Sequence, residues 1–308
     1  EQAGEIACRP LLVGPDPRAT IKRLMRERSG AYLECEHSVS TDGEDVDKVA
    51  ERIHVWLESS PAQAPRRQLS IDAQRGSYPI EIRPNKGTWI AEEILEGKTA
   101  QRIGIVTDTT VMSLYGQALY EELNQGGARA FIYPIKGGES CKNLETVDML
   151  YDVLCRDQFE RQDLLVAVGG GVVGDVTGFV ASTLLRGIGF IQVPTTTLAA
   201  VDSSVGGKTG LNTMHGKNLV GTFYPPDGVW VAIDYLRSQN LRQHRSGLVE
   251  ALKMAATSDA RLFDDMVCQS HKLLDFEGEV LMDVVSRALQ IKAAVVSDDE
   301  REHGLRAI

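Results

Sequence analysis

The sequence predicts an α/β protein: a parallel sheet covered by helices, followed by an all-helical domain. Three observations carry this reading. Short apolar runs alternate with stretches of helical spacing between about residues 69 and 240, one such run ends in three consecutive glycines, and strand signals cease after Leu241. Strands that alternate with helices in this way imply parallel pairing with both faces of the sheet covered.

The elements follow in order. In residues 1–57, Arg18 to Arg28 is basic and helix-like, Ala31 to Cys35 reads as a short strand, and Val46, Val49, Ile53 and Leu57 share one helical stripe. This region is too short for a core of its own. Residues 58–68, with Pro61 and Pro65, read as a linker. An α/β domain is then expected over 69–240. Ser77 to Ile82 alternates as a strand, Ile103 to Thr107 is an apolar run, and Val111 to Leu123 is helical up to the stop at Gly126-Gly127. Ala130 to Ile135 is a further strand, Leu144 to Cys155 a further helix, and Leu164 to Val168 runs straight into Gly169-Gly170-Gly171 and another helix. Gly189 to Val193 and Val229 to Ile233 continue the strand pattern. In residues 241–308 only helical spacing remains, at Leu248 to Met254, Leu262 to Val267 and Val280 to Val296.

Composition narrows the function classes. A formal charge of −10 over 308 residues argues against a nucleic-acid or anionic-membrane partner, since these are met by basic faces. The five cysteines (Cys8, Cys35, Cys141, Cys155, Cys268) are scattered and never form Cys-x-x-Cys. That fits reduced thiols better than disulfides or a thiolate zinc site. No run approaches the ~20 apolar residues of a membrane span, and the first residues lack a signal-peptide pattern. The expectation is a cytoplasmic protein.

Four motifs carry chemistry. Gly169-Gly170-Gly171-Val172-Val173-Gly174-Asp175 fits Gly-x-Gly-x-x-Gly between a strand and a helix, where bare amides can approach a pyrophosphate. The ribose-binding acid expected about 20 residues later is missing, so this is not an ordinary Rossmann fingerprint. Asp175 is also explained as a helix cap. Pro194-Thr195-Thr196-Thr197 follows a strand end, with Asp202-Ser203-Ser204 and Gly206-Gly207-Lys208-Thr209 close behind. The first glycine that a nucleotide triphosphate loop needs upstream is absent, but a lysine held by glycines can still meet a phosphate monoester. His215-Gly216-Lys217-Asn218 places a second lysine in a Gly-rich loop. Together with Arg186 and Lys208 it suggests an anion pocket in a net acidic chain. Finally, Glu250 and Lys253 share a helix face, either as a surface ion pair or, given the apolar Leu248, Leu252 and Met254, in a cleft.

In their order these motifs, with Gly-Gly-Glu-x-x-Lys at 137–142 and the tail Lys292 to Arg306, resemble the 3-dehydroquinate synthases from about residue 70 onward. The resemblance implies a Rossmann-like NAD-binding domain, an all-helical metal and substrate domain, and a homodimer. It marks Asp108, Glu139, Lys142, Gly170, Gly171, Asp175, Thr195, Thr196 and Lys217 as NAD contacts. Arg186, Asp202, Lys208, Asn218, Lys253, Lys292 and Arg306 would meet the sugar phosphate substrate, and Glu250 would be the first ligand of Zn2+ (or Co2+). The implied reaction, in the shikimate pathway, converts 3-deoxy-D-arabino-heptulosonate 7-phosphate to 3-dehydroquinate and phosphate, with NAD as a recycled catalyst. The family's other two metal ligands are histidines beyond the Arg306-Ala307-Ile308 end, so residues 1–308 are expected to bind NAD without cyclising substrate. The six histidines of the chain are expected to be ordinary solvated ones. Arg9-Pro10-Leu11-Leu12 and Glu27-Arg28-x-x-x-Tyr32 resemble the C-terminal half of shikimate kinase, which suggests a piece of a kinase–synthase fusion. Three other readings remain: a sister sugar-phosphate cyclase, a zinc or iron polyol dehydrogenase, and a non-catalytic NAD-binding fragment.

Overall fold

The computed structural model describes residues 66–299 apart from 74–75, 85–86 and 98–99, together with 20, 45–46 and 48–50. The expectations for the kinase-like segment, and those for His303 and Arg306, lie outside the described residues. The chain divides into two units, 1–63 and 64–308, and the elements below all belong to the second.

Seven strands form one sheet: β1 (Arg67–Ile71), β2 (Tyr78–Arg83), β3 (Arg102–Asp108), β4 (Arg129–Ile135), β5 (Leu164–Gly169), β6 (Gly189–Pro194) and, later in the chain, β9 (Gly228–Ala232), in the order β1-β2-β9-β6-β5-β3-β4. Only the β1–β2 pair is antiparallel. Every residue of β5 is buried, as befits a central parallel strand with both faces covered, and this is why it reads as an unbroken apolar run. Between β6 and β9 a hairpin of β7 (Lys208–Thr213) and β8 (Gly216–Phe223) forms a separate two-stranded ribbon.

Helices cover both faces. Helix α1 (Thr88–Gly97) buries Trp89, Ile90 and Ile94. Helix α2 runs from Thr109–Val111 through a π-turn at Met112–Gly116 into Gln117–Gln125. Helix α3 (Leu144–Arg156) is capped by Asn143, whose side chain accepts from Thr146 N at 2.9 Å. Helix α4 (Gly171–Thr183) starts directly after β5. Parallel strands need such crossovers, and the chain changes direction once. From β3 it steps outward to β4, then returns to β5 on the other side of β3 and proceeds to β6 and β9. The carboxyl ends of β3 and β5 therefore flank a topological switch point, the place where open α/β sheets bind ligands.

After β9 come α5 (Leu241–Ser258), α6 (Ala260–Cys268), α7 (Ser270–Leu274) and α8 (Gly278–Asp298). Asn240 and Gln243 form a reciprocal capping box at the start of α5. Arg287 of α8 ties Asp259 at 2.9 Å and Asp265 at 2.6 Å, which fixes α6. Leu281, Val285 and Leu289 of α8 share one core with Ile71, Ile80, Ile82, Val229 and Val231 of the sheet edge. Each such side chain contributes ~1.5–3 kcal/mol on burial, so this helical region is welded to the sheet. No helix among the described residues is long and apolar enough to cross a membrane.

Three features depart from the sequence reading. Arg67 and Gln68, expected in the linker, already belong to β1, and α1 was not anticipated. The supposed Gly-rich loop around His215 is the turn and second strand of the β7–β8 hairpin.

Candidate functional site

A cleft of about 410 Å³ lies over the switch point. Its walls are the residues that end parallel strands: Asp108 after β3, Gly137 and Gly138 after β4, Gly170 and Gly171 after β5, and Thr195 and Thr196 after β6. Asp108 Oδ1 accepts from Thr110 N at 2.9 Å and Val111 N at 3.0 Å, which starts α2. Gly170 is the N-cap of α4 and offers no side-chain cap, so the helix start presents bare amides and the positive end of its dipole to the cleft. A Cβ on Gly171 would stand 2.9 Å from Ser203 Oγ. Any larger residue here would have to push the Ser203 hydroxyl aside. Volume, bare amides and the switch-point position together fit a dinucleotide.

A second cavity of about 540 Å³ lies further along α4, lined by Asp175, Asp202, Lys208, Asn218 and Lys292 among others. Its charges are paired. Lys292 Nζ donates to Asp202 Oδ1 at 2.6 Å. Lys142, only 5% exposed, pairs with Asp175 and donates to Asn218 Oδ1 at 2.5 Å. The hairpin is stitched to the β4–α3 connection by Asn212 N to Lys142 O at 2.7 Å and by Asn212 Nδ2 to Glu139 Oε1 at 2.8 Å.

Burial pushes the Asp175 carboxyl up to about 6 against the opposing pull of Lys142, and the nearby Glu139 and Asp202 charges push the same way. A folded value above the unfolded one means the proton is held longer in the native state. The stability it contributes is thus full below about pH 4 and lost as pH rises through about 6. Asp175→Asn removes this dependence. Its stability relative to the unaltered chain should rise between pH 4 and 7 by roughly 2 kcal/mol, read by urea denaturation at both pH values. A constant difference would show that Lys142 keeps Asp175 ionised throughout.

The two cavities gather the expected residues unevenly. Asp108, Gly170, Gly171, Thr195 and Thr196 line the first. Asp202, Lys208, Asn218 and Lys292 line the second, and there Asp175 joins them rather than the expected cofactor contacts. It is not a helix cap, since Gly170 holds that position. Lys217 of the exposed hairpin and Glu139 of the β4–α3 connection face each other at 3.8 Å. Arg186 is exposed with φ of 68°, in the turn between α4 and β6, and it is not among the residues that line either cavity. Glu250 pairs with Lys253; the lysine side chain is 66% exposed but the Glu250 side chain only 24%, so the pair is open at its base and largely covered at its acid. Among the described residues no group of three His, Cys, Asp or Glu side chains could hold a metal ion.

One sequence expectation is overturned outright. His244 is not solvated but wholly buried, with Nδ1 2.7 Å from Thr197 Oγ1 and Nε2 2.8 Å from Leu273 O. Burial lowers its pKa, against the opposing Leu273 hydrogen bond. Ser238, Gln239 and Gln243 also line the first cleft unannounced. The available signal was the Asn240 cap, which starts a helix at that spot.

The 3-dehydroquinate synthase N-terminal family model matches residues 132–246 and the 3-dehydroquinate synthase C-terminal model residues 247–308. A 3-dehydroquinate synthase of Thermodesulfovibrio yellowstonii is 41% identical over 241 residues, 78% of this chain and 67% of that protein. The chain thus spans about two thirds of that relative's length. Among solved structures, 2-epi-5-epi-valiolone synthase from Streptomyces hygroscopicus subsp. jinggangensis, with NAD+ and Zn2+ bound, superposes with a TM-score of 0.69 at 30% identity, covering 76% of this chain and 65% of that one. A 2-deoxy-scyllo-inosose synthase complexed with carbaglucose-6-phosphate, NAD+ and Co2+ gives 0.67 at 26% identity, covering 77% and 64%.

Proposed function

Because this chain belongs to the 3-dehydroquinate synthase family, we propose that its two cavities serve one reaction, the NAD-assisted conversion of 3-deoxy-D-arabino-heptulosonate 7-phosphate to 3-dehydroquinate and phosphate in the shikimate pathway. The observation that carries this is the pair of sites along α4. A dinucleotide-sized cleft lies at its first turn, and a pocket with lysines for an anion opens beside Asp175, one turn on. The sister cyclases similar in structure share 30% and 26% identity, against 41% for the dehydroquinate synthase relative, which favours this substrate over theirs.

A bound nicotinamide supplies a reversible hydride acceptor, so that a carbinol can be oxidised, made to acidify its neighbour, and restored. The chain's residues do the rest. Lys208 and Lys292 hold phosphate and carboxylate by charge-assisted hydrogen bonds, with Asp202 orienting Lys292. Asp175, which burial pushes up to about 6 against the pull of its partner Lys142, lines the second cavity and can hold a proton there. The metal is less well served. Glu250 is the one expected ligand among the described residues, and it is already paired with Lys253, whereas a catalytic zinc ordinarily takes three protein ligands. A homodimer, a cytoplasmic setting and a kinase-like origin for residues 1–57 complete the proposal on the strength of the sequence resemblance.

The test is to supply the chain with NAD, Zn2+ and the heptulosonate phosphate and to follow phosphate and NADH absorbance together. NAD and substrate should bind, and any phosphate released should appear without accumulating NADH. Steady NADH accumulation would instead identify a dehydrogenase, and failure to bind either ligand would overturn the reading.

A further inference from the structure

The cofactor cleft has a back side. Thr195 and Thr196 face the cleft, while the next residue, Thr197, is fully buried on the far side of the same loop. Its backbone N donates to Gln239 Oε1 at 3.1 Å, and its Oγ1 accepts from Gln239 Nε2 at 2.6 Å. The same hydroxyl lies 2.7 Å from His244 Nδ1, and His244 Nε2 lies 2.8 Å from the Leu273 carbonyl. A carbonyl can only accept, so Nε2 carries the proton and Nδ1 must accept from the Thr197 hydroxyl. Every polar atom of the set is then satisfied. Phe276, held at φ of 55°, stacks on the imidazole at 3.9 Å between ring centres. The helix also touches the loop directly: a Cβ on Gly247 would fall 2.4 Å from Leu198 N and 2.6 Å from Thr197 Cβ.

We propose that His244 is a positioning residue: through Thr197 it holds the Thr195–Thr196 wall of the cofactor cleft in register and ties that wall to α5, the helix that carries Glu250 and Lys253. This rests on the reading of the first cleft as the NAD site. The physical argument is economy of attachment. The segment directly after β6 carries the cleft wall, and His244 links it simultaneously to α5, through its own backbone, and to α7, through Leu273. A shift of α5 is therefore felt at the cleft wall, and by reciprocity a dinucleotide pressing on that wall bears on α5.

Three replacements separate positioning from mere stability. Asn at 244 sets an amide oxygen near the place of Nδ1 and keeps an acceptor for Thr197. Gln reaches toward Leu273 instead and abandons Thr197, and Phe keeps only the stacking on Phe276. NAD affinity by calorimetry should stay within about twofold for His244→Asn and weaken about five- to tenfold for His244→Gln and His244→Phe. Thr197→Val should weaken it similarly, and adding it to His244→Gln should cost little more. A structural role alone would make Asn and Gln alike and would leave the two sites additive. If His244→Phe fails to fold, Thr197→Val probes the same bond from the other side. Unchanged affinity in the Gln and Val variants, beside normal NAD binding by the unaltered chain, overturns the proposal. If the unaltered chain itself does not bind NAD, the cofactor reading fails first and the positioning role falls with it.

Discussion

Gly171→Val is expected to abolish useful NAD binding while leaving the sheet intact. The position begins α4 at the carboxyl end of β5, where a Cβ would already crowd Ser203 Oγ at 2.9 Å. Two methyl groups beyond that Cβ would either enter the cleft or force Ser203 aside, and overpacking of this kind costs ~1–3 kcal/mol before any ligand is considered. The ligand then loses close approach to the amides of the helix start as well. Affinity should fall on the order of a hundredfold or more. The thermal unfolding midpoint should fall by only the few degrees that this overpacking implies, with the sheet still formed, because the strand residues 164–168 keep their neighbours. A folded variant that bound NAD normally in a calorimeter would remove Gly171 from the cofactor site.

Lys208→Ala should act on the other ligand. Lys208 is the first residue of β7 and lines the second cavity with Asp202 and Lys292. If it meets a phosphate or carboxylate in that partly enclosed pocket, its loss should cost about 2–5 kcal/mol in transition-state binding, with NAD affinity nearly unchanged. The two variants thus have opposite signatures, one losing cofactor and the other substrate. Near-normal turnover in Lys208→Ala, measured in whichever member of the family gives a robust rate, would show that the ammonium is a bystander.

The parallel sheet was legible because its strands are buried on both faces and so stand out as apolar runs, as Leu164 to Val168 does. The glycines and threonines of the first cleft were legible for a related reason: they sit where strands end, and strand ends could be located. The β7–β8 ribbon was not. Six consecutive residues from Gly216 to Gly221 are largely solvent-facing and include Lys217, Asn218 and two glycines, so the stretch has the composition of a loop although it pairs as a strand. Helix α1 escaped because Glu92 and Glu93 interrupt a short apolar face. His244 illustrates a different limit. A histidine's surroundings are set by residues distant in sequence, here Thr197, Leu273 and Phe276, and no local pattern announces their convergence. The pairing of Lys142 with Asp175 is of the same kind.

The position of β2 has a consequence for how the molecule is made. Ile80 pairs with Val229, and Ile71, Ile80 and Ile82 are buried by α8, which ends only at Asp298. During synthesis the β1–β2 pair emerges early, yet it has no sheet to join until β9 has left the ribosome and no helical cover until α8 follows. Meanwhile β3 to β6 can assemble among themselves. Closing so long a stretch of chain costs little extra free energy, since each doubling of loop length adds only about 0.6 kcal/mol, but it costs time. For that interval an apolar strand pair with an unpaired edge is open to water and to other chains. Aggregation of nascent or refolding chains should therefore begin at residues 67–83, and a holding chaperone would find its grip there.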